Sequence, residues 1–599
     1  MIYHCEDRTC NYWDEGEKLP ERCPQCGRKL LRANEADMTG DDWTALGNTL
    51  WDAEASDKKR MVDCFRKAAY LGSAWGVCNL GICMEQGNGV EADPVQAFWL
   101  YQQAVEMGSL NAVCCLGVCY QYGIGTAPDA KQAAELYCKA AEYGSPRGQM
   151  LLARAFHDGI GVEADAAEAV HWVRAAAYQR YGEGMHRLGV CYAYGDGVEQ
   201  NWEHAVHWFR EAAESGVSVA MTDLGYCYEK GRGVEQSWEQ AFSWYRRSAE
   251  CGNPVSMSNL GLCYQMGYGV EQNWQEAIKW YEQGAQCGDL QSMHNLACCY
   301  EGGEGVEQNE DRAFYWYRRS AEGGNGSAMC NLGRCYKRGY GVEQNWQEAV
   351  KWYEQGAQCG NLQSMHNLAR CYEHGEGVEQ NMTEAIRWYT AAAEGGNADD
   401  MYELGWQYDH GEGVEQDMKK AICWYERAAE QNHPAAMNSL GECYAMGRGV
   451  PRDLETAMEW YRRAAELGEA MADYNMGWHL EQAGKLSEAY AHYRKAADGN
   501  DDSAWWALGR FYENGVVVAQ DGKEARRCYE TGEKLGSVKC KMRLARCKLL
   551  GIGGRREKKA GLDLCRQALE LAKESSEKED YGYEAEMNLL RRTIAENES

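Results

Sequence analysis

The sequence predicts an all-α solenoid of about fifteen helical hairpins, with a small metal-binding ribbon at its N-terminus. Three observations lead there. A Leu-Gly or Leu-Ala pair recurs along most of the 599 residues. A glycine-rich break and a Trp-aromatic pair follow it at fixed offsets. Four cysteines are gathered in the first 26 residues. The small residue of the recurring pair falls at Gly47, Gly81, Gly117 and onward to Gly477 (there after Met476), Gly509 and Ala545, and each step from Gly81 to Gly477 is 36 residues. The flanking steps are 34 at the start, then 32 and 36 at the end. A fixed period in this range marks stacked supersecondary units. The chain therefore divides into a metal-binding segment at 1–34, a repeat solenoid at 35–555 and charged capping helices at 556–599.

Cys5 and Cys10 are separated by four residues, and Cys23-Pro24-Gln25-Cys26-Gly27 follows. A Cys-x-x-Cys hairpin points two thiolates at one ion, and four thiolates at these spacings close a tetrahedral zinc site. The Cys-Pro-x-Cys-Gly half resembles the knuckle of zinc ribbons and rubredoxin-like folds. Cys5, Cys10, Cys23 and Cys26 are the expected ligands. Such a site has no open position, so its expected role is structural.

One repeat shows how the rest is built. Residues 255–266 carry Met257, Leu260, Gly261 and Tyr264 at helical spacing. Gly267-Tyr268-Gly269-Val270 breaks that helix. Asn273 caps a second helix, with Glu276 placed as in a capping box. This helix runs through Ala277, Trp280, Tyr281 and Ala285 and ends near Gly288. The small residue after each leucine lets the two helices approach closely. The periodic tryptophans, Trp172 through Trp460, are expected in the core. The cysteines two places after the small residue, among them Cys263, Cys371 and Cys443, are expected as buried structural thiols. One hairpin cannot bury its apolar face alone, so neighbours must stack. Residues 271–309 and 343–381 differ only at 278/350, 289/361, 298/370 and 302/374, the mark of a duplicated two-hairpin unit. After 555 the helical spacing of Leu562, Cys565, Leu569, Met587 and Leu590 suggests helices that cover the last apolar face.

The run Leu260-Gly261-Leu262-Cys263-Tyr264, then Gly267-Tyr268-Gly269-Val270, Glu276-Ala277 and Trp280-Tyr281, resembles the Sel1-like repeat family, relatives of the tetratricopeptide repeats. The resemblance covers roughly 39–555. It implies a right-handed solenoid that scaffolds protein complexes and carries no enzyme activity. Some secreted members hold successive hairpins by a disulfide. The cysteine this bridge needs is replaced here by Met221, Met257, Met293, Met329 and Met365, which favours reduced thiols and a cytoplasmic protein.

Charge narrows the function further. Lys+Arg is 62 against 91 Asp+Glu, a net charge of −29. Coating nucleic acid or an anionic membrane needs clustered positive charge, which this balance argues against. There is no run of 18 apolar residues for a membrane span, and the N-terminus lacks the pattern of a signal peptide. The repeated Gly-x-Gly has no preceding strand and no following Lys-Ser/Thr, so it is a turn and not a phosphate loop. His204 and His207 read as a solvated pair. No nucleophile–base constellation rises above the repeats.

In the resembling tetratricopeptide hairpins the first helix lines a concave groove. Carried over by position, the groove-facing set is Arg334, Lys337, Arg338, His366, Arg370, His374, Tyr402, Trp406, Tyr474 and Trp478. A cationic island thus lies beside an aromatic stretch. Arginines hold carboxylates and aromatics anchor peptides. The expected function is a non-catalytic scaffold or adaptor for a protein or peptide. The alternative is a nucleic-acid-associated regulator that uses the ribbon and the cationic island.

Overall fold

In a computed structural model of the protein, the described residues are 2–5, 13–15, 30–32, 38–51, 55–578 and 584–598. They form two compact units, 1–309 and 310–599.

The first unit opens with a three-stranded antiparallel sheet of β1 (Ile2–Cys5), β2 (Trp13–Glu15) and β3 (Leu30–Arg32), in the order β2-β1-β3. Cys5 closes β1 and is the register partner of Leu30. Cys10, Cys23 and Cys26 lie outside the described residues. Seven helical hairpins follow, from Gly40–Thr49 with Ala55–Tyr70 to Pro254–Met266 with Trp274–Gln286, and the helix Leu290–Gly302 ends the unit. The second unit begins with the helix Glu310–Glu322. Its seven hairpins run from Gly326–Arg338 with Trp346–Gln358 to Val538–Leu550 with Lys558–Lys578, and Glu584–Glu598 comes last.

The repeat motif maps onto this geometry residue by residue. Asn273 Oδ1 accepts the Glu276 amide at 3.1 Å, which satisfies an orphan donor at the start of Trp274–Gln286. Gly267 ends the preceding helix in the left-handed conformation at φ +74°. Gly269 is left-handed too, and a Cβ there would collide with the Trp238 carbonyl of the previous hairpin. Gln272 Nε2 donates to the Gln265 carbonyl at 2.7 Å, so the recurring glutamine ties the loop to the first helix.

Gly261 faces the ring of Tyr281, whose Cε1 would lie 2.5 Å from a Cβ at that place. The ring is fully buried, and its hydroxyl donates to Gln265 Oε1 at 2.7 Å. Met257, Leu260 and Cys263 pack beside Tyr245 and Ala249 of the preceding hairpin. Each hairpin therefore buries its apolar face against the next.

The tryptophans depart from expectation. Trp244, Trp280, Trp352, Trp388, Trp424 and Trp460 are half-buried, whereas the tyrosine one residue later is the core ring. Adjacent residues on a helix diverge by about 100°, so only one of the two can face the glycine. The indoles carry cations instead: Arg247 stands 4.4 Å from the Trp244 ring, Arg427 4.3 Å from Trp424 and Arg463 4.5 Å from Trp460. Cys263, Cys371 and Cys443 are buried, unbridged thiols as expected. Burial pushes Cys371 up to about 11 and Cys263 up to about 12, which keeps both protonated.

The C-terminal boundary also moves. Lys558–Lys578, expected within a terminal cap, is the second helix of the last hairpin. Cys565, Ala568 and Ala572 pack on Met542, Ala545 and Leu549. Only Glu584–Glu598 caps that hairpin, through Met587 and Leu590.

Candidate partner-binding groove

The expected groove residues lie on first helices of the second unit, at corresponding places in their repeats, but their surroundings differ. Four cations lie on two neighbouring helices, Gly326–Arg338 and Leu362–His374. Arg334 is half-buried over the repeat core, where its charge acts on Cys330 and Tyr353. Lys337 lies 4.8 Å from the Trp346 ring and 3.7 Å from Glu376 Oε2. Arg338 and Arg370 are exposed and make no hydrogen bond or ion pair among the described residues. His374 is exposed beside Glu373, at 3.7 Å.

Lys337 has a structural consequence. In most repeats the residue at its place accepts the hydroxyl of the buried tyrosine. Glu373 takes Tyr389 at 2.7 Å, and Glu229 takes Tyr245 at 2.7 Å. A lysine cannot accept, and the Tyr353 hydroxyl is buried without a partner.

The histidine and the aromatics are largely engaged within the fold. His366 Nδ1 meets Asp400 Oδ1 at 2.7 Å. Tyr402 stacks on His433 with centroids 5.0 Å apart, and Tyr474 packs on Tyr493 at 5.6 Å. Trp406 stacks on His410 at 4.4 Å. Trp478 is the outward member, 40% exposed.

Sequence reasoning missed an acidic network between these two groups. Asp400 is fully buried at a position that the repeats from Gly76 to Cys540 otherwise fill with Gly, Ala, Ser or Cys, and its Oδ2 has no partner. Burial raises its carboxyl, while His366 draws it back down. Asp409 accepts Arg448 at 3.1 Å, and Arg448 also reaches Glu442 at 3.7 Å. Glu442 Oε1 accepts Asn438 and Asn475 at 3.3 and 3.1 Å. Burial raises Glu403 and Glu442 as well. Gln407 occupies the slot of the structural cysteine, with both amide atoms unpartnered. The signal was present in the sequence as breaks in the small-residue and cysteine columns. From the cations to Trp478, this face therefore runs cationic, acidic, then aromatic.

A second concavity lies in the first unit, and none of the expected site residues lines it. It is a cavity of about 490 Å3 between the first helices Pro146–Asp158 and Gly182–Tyr194, with the second helix Ala166–Tyr178 as its floor. Its sequence mark is Val173, which stands where the repeats from Phe65 to Tyr529 otherwise carry Tyr or Phe.

Among the described residues no group of three or more His, Cys, Asp or Glu side chains is placed to hold a metal ion. No helix among them is long and apolar enough to cross a membrane.

Comparison with known proteins supports the repeat assignment. The family model described as Sel1 repeat matches fourteen successive stretches between residues 76 and 573. A protective antigen of uropathogenic Escherichia coli strains, c5321, described as displaying an SLR fold, is 32% identical. That match covers 75% of this chain and 97% of c5321, with a TM-score of 0.51. A Sel1 repeat protein from Oxalobacter formigenes is 30% identical over 41% of this chain and 96% of its own, with a TM-score of 0.38. No curated protein matches.

Proposed function

We propose, from the premise that this chain belongs to the Sel1 repeat family, that it is a non-catalytic intracellular scaffold that holds a protein or peptide segment on the first-helix face of its second unit. Such repeat solenoids serve as protein-interaction surfaces. One observation carries the choice of face. Arg338 and Arg370 are exposed without a carboxylate partner on neighbouring helices, in a protein of net charge −29. Guanidinium groups left unpaired in an acid-rich protein are free to take a partner's carboxylates. Trp478 offers an aromatic anchor further along, and a rigid stack lowers the ordering cost of capturing an extended segment. Net charge weighs against the nucleic-acid reading.

The test is affinity capture from host lysate with the wild type and with Arg338→Glu/Arg370→Glu. Both residues are exposed, so the variant keeps its fold. A protein held by the wild type and lost by the variant supports the reading. Equal recovery by both moves the site elsewhere. Nuclease-sensitive nucleic acid as the prey would revive the alternative.

We also propose that Cys5, Cys10, Cys23 and Cys26 hold a structural zinc. Four thiolates suit that ion. The strand register supports the grouping: the chain leaves Cys5 toward Cys10 and reaches Leu30, the partner of Cys5, from Cys26. Metal analysis of the purified chain is expected to give one zinc per molecule, lost in Cys23→Ser/Cys26→Ser. A metal content that the double variant leaves unchanged contradicts this assignment.

A further inference from the structure

The cavity at 146–194 has a cause that the repeat itself explains. In the other repeats from Phe65 to Tyr529, a Tyr or Phe ring fills the gap between the two helices, against the small residue of the Leu-Gly pair. Here the small residue is Ala153 and the ring is replaced by Val173. Ala153, Val170 and Val173 line the resulting space, with Met150 and Leu151 beside them. His157 stands where Glu373 and Glu229 accept the tyrosine hydroxyl in their own repeats. The chain has thus kept the walls of a tyrosine site and omitted the tyrosine.

The mouth is charged. His157 and Arg187 are tied to Asp196 at 3.3 and 3.4 Å. Tyr181 donates to Glu183 at 3.2 Å. Arg147 donates to Asn111 Oδ1 at 3.0 Å and to Cys115 Sγ at 3.7 Å, neither of them a carboxylate. Arg154 is exposed and makes no hydrogen bond or ion pair among the described residues. Two guanidiniums without a carboxylate partner therefore flank the apolar floor of this cavity, whose rim also carries Asp158, Glu183 and Asp196.

We propose that this cavity receives an aromatic side chain carried on an acidic, extended segment of a partner protein. The guest ring occupies the place of the missing tyrosine, and carboxylates beside it in the partner's sequence meet Arg154 and Arg147. The inference rests on the reading that first helices form a binding face, and it adds an anchor in the first unit that does not depend on Arg338 or Arg370.

The probe is a fluorescein-labelled, end-blocked peptide, Asp-Glu-Phe-Glu-Asp, titrated by anisotropy against the full chain. Its control has alanine in place of phenylalanine. Burying the ring predicts roughly ten-fold or greater preference for the phenylalanine peptide. Val173→Tyr supplies the chain's own ring and is expected to abolish that preference. The variant has a folded precedent, since Tyr389 packs in one core cluster with Ala369. Arg154→Glu leaves the cavity intact and is expected to weaken both peptides at least five-fold at low salt. Arg338→Glu/Arg370→Glu is expected to leave the preference for phenylalanine over alanine unchanged, whatever it does to the affinity of both acidic peptides, so failure of the second-unit groove and failure of this cavity are read separately. Equal affinity for the two peptides, unchanged phenylalanine binding in Val173→Tyr, or no binding at millimolar peptide would each overturn the proposal.

Discussion

Tyr281→Val imposes on an ordinary repeat the change that the chain carries at Val173. Tyr281 is fully buried, with its ring against Gly261 of the first helix. An aromatic side chain buries about 200 Å2, and valine restores about half of that apolar contact at most. Losing roughly 80–100 Å2 at about 25 cal/mol per Å2 costs about 2 kcal/mol. The walls are two helices fixed by neighbouring hairpins, so relaxation is partial. A residual cavity of about 50 Å3 at about 24 cal/mol per Å3 adds roughly 1 kcal/mol. Losing the hydroxyl bond to Gln265 adds little, because Gln265 is half-exposed and water can take its place. The expected loss is about 3 kcal/mol, confined to one repeat and its neighbours, because stability in stacked repeats is a sum of local terms. Hydrogen exchange read by mass spectrometry measures it directly. Peptides from Pro254–Met266 and Trp274–Gln286 should exchange faster by about two decades, and peptides beyond residue 400 should not change. Uniform acceleration along the whole chain would refute the local-stack reasoning. No change at 254–286 would refute the role assigned to the ring.

Three further outcomes follow from particular side chains. Tyr353→Phe removes a buried hydroxyl that has no partner and is expected to stabilise its repeat by about 1 kcal/mol, whereas Tyr389→Phe breaks the bond to Glu373 and is expected to cost about 1–2 kcal/mol. Urea unfolding of the two variants should therefore shift in opposite directions; shifts of the same sign contradict the orphan assignment. Asp501 caps the helix Asp502–Asn514, and burial pushes its carboxyl from 3.8 up to about 6. A raised carboxyl favours folding below about pH 4, and that contribution is lost as pH rises through 6. Asp501→Asn keeps the cap and is expected to be up to about 3 kcal/mol more stable than wild type at pH 7, since the shift, in which burial already outweighs the backbone hydrogen bonds, corresponds to roughly that much. The gain should vanish at pH 4 in urea midpoints; a gain of equal size at both pH values would contradict the burial argument. Asn273→Ala removes the cap of Trp274–Gln286 and is expected to cost about 1 kcal/mol, visible as faster exchange in its first turn.

Much of the fold was legible as periodicity. The recurring Leu-Gly pair, the Gly-x-Gly break and the Asn cap each act within one turn of helix, so helix starts and ends could be read directly, as at Pro254–Met266 and Trp274–Gln286. The tryptophan column misled, because composition alone favours the larger ring as core. The neighbouring tyrosine wins because it is the ring that meets the glycine of the first helix. The candidate groove was legible only in part. Arg338 and Arg370 are exposed as a binding face requires, but Lys337 is held over Trp346 and Tyr402 and Tyr474 serve the packing. Asp400, Gln407 and Val173 were each visible as a break in a column, without any sign of what the break does.

The sequence by itself determined the repeat, its length, the hairpin and the small-residue contact. These depend on interactions between residues close in the chain, and repetition makes each one visible many times. Only the tertiary structure decided which cations are spoken for and where the stack is hollow. His366 finds Asp400, and Arg448 finds Asp409, one repeat away. The missing ring at Val173 becomes a cavity only because the surrounding helices keep their spacing. Pairing of charges and filling of volume depend on neighbours brought together across a repeat, and local pattern carries no record of that competition.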